Sequence, residues 1–290
     1  MFKYQDYYIP LYKGHAVSPD WTSATNHKPM GVTWHWTAMR TLKDSRGVLQ
    51  GGAGGVKSRV SAHYCVGQNF KEGVDRYVRL TDRSWHAGIE QKIRWDGKKS
   101  TNTTKGSRAC IGIETAHIGY ARPGHPAQPG WKDYVDTNCR SIWTIPDWPS
   151  EQFEMMVAVG KEILGKWPHI PWQHHHGHHD ICPGYKQDVI GMRFADLLRA
   201  IYDDNSIPEI WSPLWTTVAR QRVLIALGYD LGSWKDDGHW GNFSQAALRD
   251  FQKDSDAVVV PYWTTFTCQD AYAALKAKGK DLDTVAKTPA

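Results

Sequence analysis

The sequence predicts a mixed α/β domain followed by a small helical domain. Short segments rich in branched and aromatic residues occupy the first part of the chain, and longer amphipathic segments with helical spacing follow them. Three shorter helical segments end the chain, after a polar stretch that contains proline. Because strands followed by helices indicate an α/β domain, we expect that domain at residues 1–205, a linker at 206–216 and a three-helix domain at 217–290.

The predicted strands lie in the first 115 residues. Residues 30–37 and 110–115 are apolar and rich in branched or aromatic side chains, which is typical of buried strands. Residues 62–66 form a shorter segment of the same kind, which ends at a Gly-Gln-Asn turn signal. Residues 75–80 alternate between polar and apolar side chains, and this pattern predicts a half-buried strand.

The longer predicted helices lie in the second half of the chain. Residues 121–149 are rich in Pro, Gly and Asp, and we expect them to form a long surface connection. Ser150 is a favourable N-cap, and the apolar residues from there to Trp167 recur at helical spacing until Pro168 stops them. A second amphipathic helix is expected over residues 192–201.

Composition limits the class of protein. The chain has 290 residues, of which 41% are hydrophobic and 22% are charged, and this balance indicates a folded globular protein. No run of 18 apolar residues predicts a membrane span, and the first residues lack the apolar core of a secretory signal. The net charge of +5 comes without a block of basic residues, so no nucleic-acid partner is expected. Five scattered cysteines without a Cys-x-x-Cys pair predict reduced thiols rather than a disulfide framework.

Histidine is concentrated in one short segment. Residues 173–188 contain five of the 14 histidines, together with two aspartates and a cysteine. Such a segment can be a solvated cluster that scavenges metal ions, or a pair of helical ligands four residues apart, although Gly177 disfavours a helix. A catalytic zinc site needs three protein ligands and an open position for water. His35, on a predicted core strand between two tryptophans, is a suitable distant ligand.

Residues 177–188 resemble the GHxDIxPGxKxD signature of zinc-dependent N-acetylmuramoyl-L-alanine amidases. This family includes phage endolysins, muropeptide-recycling amidases and the related peptidoglycan recognition proteins. Four further segments match motifs of the family in the expected order: residues 32–37, 61–64, 84–88 and 111–114. The resemblance covers about residues 28–200 and implies a mixed central β-sheet flanked by helices.

The resemblance also implies a role for each matched residue. His35, His178 and Asp188 fall on the zinc ligands of the family, so one Zn²⁺ is expected per catalytic domain. Glu114 falls on the catalytic glutamate, and Lys186 falls on the basic residue beside the metal. Substrate contacts are expected from five further residues, namely His63, Trp85, His86, Ala87 and Gly88. For the first of these a structural role is equally open.

The run of histidines leaves the register of the ligands open. His174 or His175 could supply the ligand in place of His178. Cys182 lies eight residues after His174, which is the separation of the His and Cys ligands in phage-type relatives. We favour Asp188 because the Gly, Pro-Gly, Lys and Asp positions of the signature then match together.

The C-terminal part resembles the three-helix peptidoglycan-binding module. Residues 221–229 are similar to its opening, and residues 237–252 match its DGxFG and ALxxFQ patterns. Helices are expected over residues 218–227, from Ser244, which would cap the second helix, and over 269–276. The resemblance implies that this part holds glycan and so raises the local concentration of the catalytic domain at the polymer.

Together these resemblances predict a hydrolase of the bacterial cell wall. The expected reaction is hydrolysis of the amide between N-acetylmuramic acid and L-alanine in peptidoglycan, by a phage endolysin or by an exported antibacterial effector. A non-catalytic peptidoglycan recognition protein and a metal-storage protein are the alternatives. We expect a monomer that is made in the cytoplasm without a signal peptide and reaches the wall through a holin or another route. Its expected partner is peptidoglycan, with no membrane insertion.

Overall fold

The computed structural model describes residues 1–8, 17–18, 21, 28–49, 60–87 and 106–290. The strands within these ranges are β1 Tyr4–Asp6, β2 Val17–Ser18, β3 Gly31–Trp36, β4 Tyr64–Val66, β5 Val74–Arg76, β6 Arg83–Ser84, β7 Cys110–Thr115, β8 Lys132–Val135, β9 Ile142–Ile145 and β10 His175–Gly177. The α-helices are α1 Leu42–Leu49, α2 Gly106–Ala109, α3 Ser150–Lys166, α4 His178–Ile181, α5 Phe194–Tyr202, α6 Thr217–Leu227, α7 Asn242–Asp254, α8 Thr265–Ala277 and α9 Leu282–Lys287. No helix in the described ranges is long and apolar enough to cross a membrane.

Six strands form a central mixed sheet in the order β1-β5-β4-β7-β3-β10. Strands β4, β7, β3 and β10 run parallel to one another, whereas β5 pairs antiparallel with β4. Every residue of β3 is buried, as expected for an inner strand of a parallel sheet covered on both faces. The register pairs His35 of β3 with Glu114 of β7, so the side chains of both residues leave the same face of the sheet.

Helix α3 forms much of the core beside the sheet. It packs against β4 and α5, and it buries Met155, Met156, Val159 and Ile163 at helical spacing. The predicted helix is therefore confirmed, but its predicted cap is wrong. Ser150 is the first helical residue, and Pro149, whose backbone is extended at φ −57° and ψ 140°, occupies the N-cap position.

Residues 121–149 are more than the surface connection that their composition predicts. They contain an antiparallel hairpin of β8 and β9. Tyr134 of β8 is buried edge-on against Trp215, with ring centroids 4.7 Å apart, and the Val135 amide donates to the Trp215 carbonyl. Contacts with Trp215, 81 positions further along the chain, thus stabilise a hairpin that the local sequence does not predict. The strand predicted over 75–80 is also shorter and ends at Arg76.

Four α-helices, rather than the three predicted, make up the region at residues 217–290, which we call the helical region. α6 ends as predicted, with Gly228 in the left-handed conformation at φ 105°. α7 begins at Asn242, so Ser244 lies in its first turn and accepts a hydrogen bond from Gln221 instead of capping the helix. The unpredicted α9 packs on α6 through buried Leu282 and Ala286.

Residues 206–216 link the helical region to the α/β part through buried contacts. The ring of Trp211 stacks on that of Phe194 at 5.6 Å, and its Nε1 donates to Oγ1 of Thr265 at 3.0 Å. Arg220 of α6, only 6% exposed, donates to the carbonyls of Asp136 and Leu214 at 2.7 and 2.9 Å. The two parts therefore pack closely, and their division into separate domains stays a prediction.

Candidate active site

Two histidines and one aspartate meet at one point beside the central sheet. His35 lies on β3, His178 is the first residue of α4, and Asp188 lies in the loop that follows α4. The Nδ1 atoms of the two histidines are 3.0 Å apart, and each lies 3.1 Å from Oδ2 of Asp188. All three residues are buried. Within the described part of the chain, this group has the geometry to hold a metal ion.

The outer nitrogens of both histidines have defined partners. Nε2 of His178 donates to the carbonyl of Ala87 at 3.0 Å, so its Nδ1 carries the lone pair of the neutral ring. Nε2 of His86 donates to the carbonyl of Cys110 at 2.9 Å, and its Nδ1 therefore accepts from Nε2 of His35, also at 2.9 Å. In the neutral state Nδ1 of His35 is consequently a lone-pair donor as well, and both bare nitrogens face the Asp188 carboxylate.

This arrangement fits a zinc ion. Two imidazole nitrogens and a carboxylate oxygen are zinc donors, and the corners of a tetrahedral site with bonds of about 2.0–2.1 Å lie about 3.3 Å apart. Each histidine also donates its other N–H to a fixed acceptor, as metal-bound histidines do. Three facing acceptors without a shared proton repel one another, and a cation between them removes that repulsion.

The electrostatics of the group agree with this fit. Burial, helped by the nearby His178, lowers the pKa of His35 to about 4 and keeps its ring neutral. Burial opposes charge on His178 too, but the Asp188 carboxylate outweighs it and raises the pKa of His178 to about 10. The same pairing overcomes burial and lowers the pKa of Asp188. Without a metal ion, a proton thus occupies the position at which a metal ion would bind.

Glu114 is a buried carboxyl group next to these three residues. Its Oε2 atom is inaccessible to solvent and has no hydrogen-bond partner. Burial raises the pKa of Glu114 to about 8, and the negative charge of Asp188 adds to the effect. An unpaired buried carboxyl oxygen is costly in a folded protein, and perturbed groups of this kind concentrate at functional sites.

A cavity of about 180 Å³ brings the predicted chemical groups together. Its lining includes the two histidines and the aspartate described above, together with Glu114 and Lys186. Lys186 is partly buried, and its Nζ lies 5.2 Å from the ring centroid of Tyr185. The cavity therefore holds donors for a cation, a carboxyl group able to exchange protons near neutral pH, and a lysine ammonium group.

One wall of the cavity lies, except for Ser61, outside the sequence motifs. It is formed by α1 and by the residues just before β4: Ser45, Val48, Leu49, Val60 and Ser61. Val48 and Val60 are each 40% exposed, so apolar surface lies at the opening. The apolar residues of α1 have ordinary amphipathic spacing, and nothing in the sequence marks them as part of a site.

The residues expected to touch substrate lie in different surroundings. His63 is fully buried; its Nε2 donates to the Asp82 carbonyl, and its Nδ1 accepts from the amide of Gly112. These contacts are those of a structural histidine. Ala87 is buried, and its carbonyl accepts from His178, whereas Trp85 is 46% exposed. His86 lines the cavity, and Gly88 lies outside the described residues.

The first three histidines of the run contact residues outside the group of two histidines and one aspartate. His174 donates from Nδ1 to the carbonyl of Met30, and His175 accepts from Nε1 of Trp34. Nε2 of His176 lies 2.9 Å from the hydroxyl of Thr33. Cys182 donates to the carbonyl of Ala87 at 3.5 Å. The contacts of His175 and His176 follow from the position of β10 beside β3, because this part of the run forms a strand.

Several solved structures, one of them of an amidase, are similar to this chain. AmiD from E. coli, an N-acetylmuramyl-L-alanine amidase in complex with its substrate, shows 19% identity and a TM-score of 0.45, with 88% of this chain and 93% of that chain covered. AmpDh3 from Pseudomonas aeruginosa shows 18% identity and a TM-score of 0.45, with coverages of 87% and 92%. The PlyG catalytic domain shows 16% identity and a TM-score of 0.43, with coverages of 71% and 97%.

The match to a protein family is more specific. Among curated proteins, no sequence matches this chain. The model of the Amidase_2 family, described as N-acetylmuramoyl-L-alanine amidase, matches residues 25–188, which is more than half of the chain. This range contains the three histidines, the aspartate, the glutamate and the lysine that line the cavity. The chain therefore belongs to the family of N-acetylmuramoyl-L-alanine amidases.

Proposed function

We propose that the protein is a zinc-dependent enzyme that cleaves the amide between N-acetylmuramic acid and L-alanine in peptidoglycan. The zinc dependence is proposed from one observation. Three donor atoms of the kinds that bind zinc, on His35, His178 and Asp188, converge within 3.1 Å of one another beside the buried, unpaired carboxyl oxygen of Glu114. A cation stabilises this arrangement, and the open cavity leaves room for a water molecule and a carbonyl group.

The residues of the cavity supply the remaining chemistry. When bound, zinc supplies a Lewis acid that polarises the scissile carbonyl and lowers the pKa of water to about 7. Glu114 takes the proton of the attacking water and returns it to the nitrogen of the leaving L-alanine, a task suited to a carboxyl group whose pKa is raised towards neutrality. Lys186 places a positive charge where negative charge develops on the carbonyl oxygen.

We further propose that the helical region holds the enzyme on glycan strands. Its sequence similarity to the peptidoglycan-binding module supports this role. A cavity of about 230 Å³ lies on its surface between Trp234 and Phe243, which are 73% and 56% exposed. Exposed aromatic rings beside a concave surface are suited to bind a ligand that has apolar faces. An endolysin released through a holin is the biological role that we favour, with an exported antibacterial effector as the alternative.

Digestion of purified sacculi tests the proposal. The full chain loaded with zinc should release amino-terminal L-alanine and leave free lactyl groups on muramic acid, and a chelator should stop the reaction. The Glu114→Gln variant, loaded with the same amount of zinc, is the control for non-enzymatic release. New reducing ends, or cleavage within the stem peptide, would contradict the assigned bond. Binding of sacculi without any cleavage would identify a recognition protein instead.

A further inference from the structure

Residues 173–188, which include His178 and Asp188 and which we call the metal-binding loop, rest on the helical region. Between these two residues, Asp180 is completely buried, and it accepts one hydrogen bond from a neighbouring residue and one from a distant part of the chain. Its Oδ2 accepts from the amide of Gly177 at 2.8 Å, and its Oδ1 accepts from the amide of Thr265 at 2.6 Å. One carboxylate thus joins the residue just before His178 to the first residue of α8.

At the start of α8, the amide of Thr265 can donate to a group outside the helix. The side chain of Thr264 caps the helix by accepting from the amide of Thr267. The amide of Thr265, in the first helical position, has no acceptor within the helix, and Asp180 supplies one. The positive end of the helix dipole also stabilises the buried carboxylate. Removing this bond would leave a buried charge with one donor fewer, which is costly.

Further contacts hold the same loop against the helical region. Nε2 of Gln269 donates to the carbonyl of Gln173 at 2.9 Å. The ring of Tyr262 lies directly on Gly184, where a Cβ atom would clash with it. Ile181 and Cys182 share a buried apolar cluster with residues of the helical region, namely Val260 and Phe266. The loop is therefore held against the helical region by side-chain packing as well as by hydrogen bonds.

We propose that the helical region positions the metal-binding loop, and that Asp180, bonded to the amide of Thr265, is the positioning residue. This inference rests on the proposed function, because it assigns a role relative to zinc. The affinity of a metal site depends on how firmly its ligands are held, and loss of an outer partner costs about 10- to 100-fold in affinity. The helical region would then act on the metal site in addition to any binding of glycan.

One substitution removes the link with little other change. Proline is well tolerated in the first position of a helix, and it lacks the amide hydrogen that Asp180 accepts. Thr264 has an extended backbone at φ −111° and ψ 172°, which suits a residue before proline. Thr265→Pro also removes Oγ1, which accepts from Trp211, so Thr265→Val is the matched control that loses Oγ1 and keeps the amide.

The test measures binding of Co²⁺, a spectroscopic substitute for zinc, to the full-length metal-free protein. We expect Thr265→Pro to bind Co²⁺ about 10- to 100-fold more weakly and to change its visible absorption bands, while Thr265→Val stays within about threefold of the unsubstituted protein. Wild-type affinity and bands in Thr265→Pro would overturn the proposal. Thermal unfolding and circular dichroism of each variant report whether it is folded, and Asp180→Ala, which has no side-chain acceptor for the Thr265 amide, replaces Thr265→Pro if that variant is not.

A second measurement separates this proposal from the proposed function. Hydrogen exchange of the Gly177 and His178 amides in the metal-free protein should be faster in Thr265→Pro than in Thr265→Val. Equal exchange rates would overturn the positioning role even if zinc binds. If the unsubstituted protein binds no Co²⁺, the zinc-dependent function fails and the positioning role fails with it. Tight binding to the unsubstituted protein with no effect of Thr265→Pro removes the positioning role alone.

Discussion

His86 contacts Nε2 of His35, and this contact determines that Nδ1 of His35 faces His178 and Asp188. Nδ1 of His86 is 2.9 Å from Nε2 of His35, and the ring of His86 is anchored through Nε2 to the carbonyl of Cys110. Gly112 lies against this ring, and a Cβ atom there would clash with it. His86 therefore orients a residue of the proposed metal site, in addition to lining the cavity.

Replacing His86 should weaken metal binding. His86→Leu leaves Nε2 of His35 without an acceptor and allows the proton to move to Nδ1, so we expect about 10- to 100-fold lower zinc affinity. His86→Asn places an amide oxygen near the position of Nδ1 and should recover part of the affinity. Competition with a chromophoric chelator measures both variants. Equal affinities in His86→Leu and the unsubstituted protein would show that His86 does not orient His35.

Replacing Glu114 should abolish turnover without removing the metal. Glu114→Gln keeps the shape of the side chain but cannot accept a proton, so the rate should fall by about 10²- to 10⁴-fold. Zinc content by elemental analysis should stay at one per chain, because Glu114 is not among the three converging donors. Loss of zinc from this variant, or turnover close to that of the unsubstituted protein, would remove Glu114 from the proposed role.

Substitutions in the loop should decide the register of the ligands. Asp188→Ala should abolish zinc binding, whereas Cys182→Ala should retain it, because Sγ of Cys182 donates to the carbonyl of Ala87. X-ray absorption of the zinc-loaded protein should show nitrogen and oxygen at about 2.0–2.2 Å and no sulfur at about 2.3 Å. A sulfur shell, lost in Cys182→Ala, would transfer the third ligand to the cysteine.

Acid should destabilise the fold partly through His117. This side chain is stacked between Trp36 and Trp148, and burial lowers its pKa to about 4. The unfolded chain takes up this proton near pH 6.5 and the folded protein only near pH 4, so the contribution is complete above pH 6.5 and is lost as the pH falls towards 4. Between pH 6.5 and 5 the loss amounts to about 2 kcal/mol in the free energy of unfolding.

Urea denaturation at pH 7 and at pH 5 measures this effect. His117→Gln cannot take up the proton, so its free energy of unfolding should fall less over this interval than that of the unsubstituted protein. The expected difference is about 2 kcal/mol, whatever the stability of the variant at pH 7. Identical pH dependence in the two proteins would show that His117 is not a neutral buried histidine.

Local sequence patterns predict the inner strands and the long helix of this fold. β3 and β7 follow from apolar runs, because inner strands of a parallel sheet are covered on both faces. β10 carries no such pattern, since its His-His-Gly sequence becomes a strand only by pairing with β3. The local sequence does not predict the hairpin of β8 and β9 either, because a distant aromatic residue stabilises it.

In the candidate site, too, a short motif can identify a residue, whereas the properties of that residue depend on others far away in the sequence. A motif can mark Glu114, but the raised pKa of this residue depends on burial and on the charge of Asp188, 74 positions later in the chain. The contact of His86 with His35 joins two segments, and the anchor at Cys110 adds a third. Such contacts depend on the assembled sheet, so no short pattern in the sequence reports them.

The most direct measurement of the proposed reaction is hydrolysis of peptidoglycan in water labelled with ¹⁸O. Cleavage of the amide between muramic acid and L-alanine transfers one water oxygen to the lactyl carboxyl group and leaves an unlabelled amine on L-alanine. We expect one ¹⁸O atom in that carboxyl group with the zinc-loaded protein and none with Glu114→Gln. Label at a reducing sugar end or at a stem-peptide carboxyl group would contradict it.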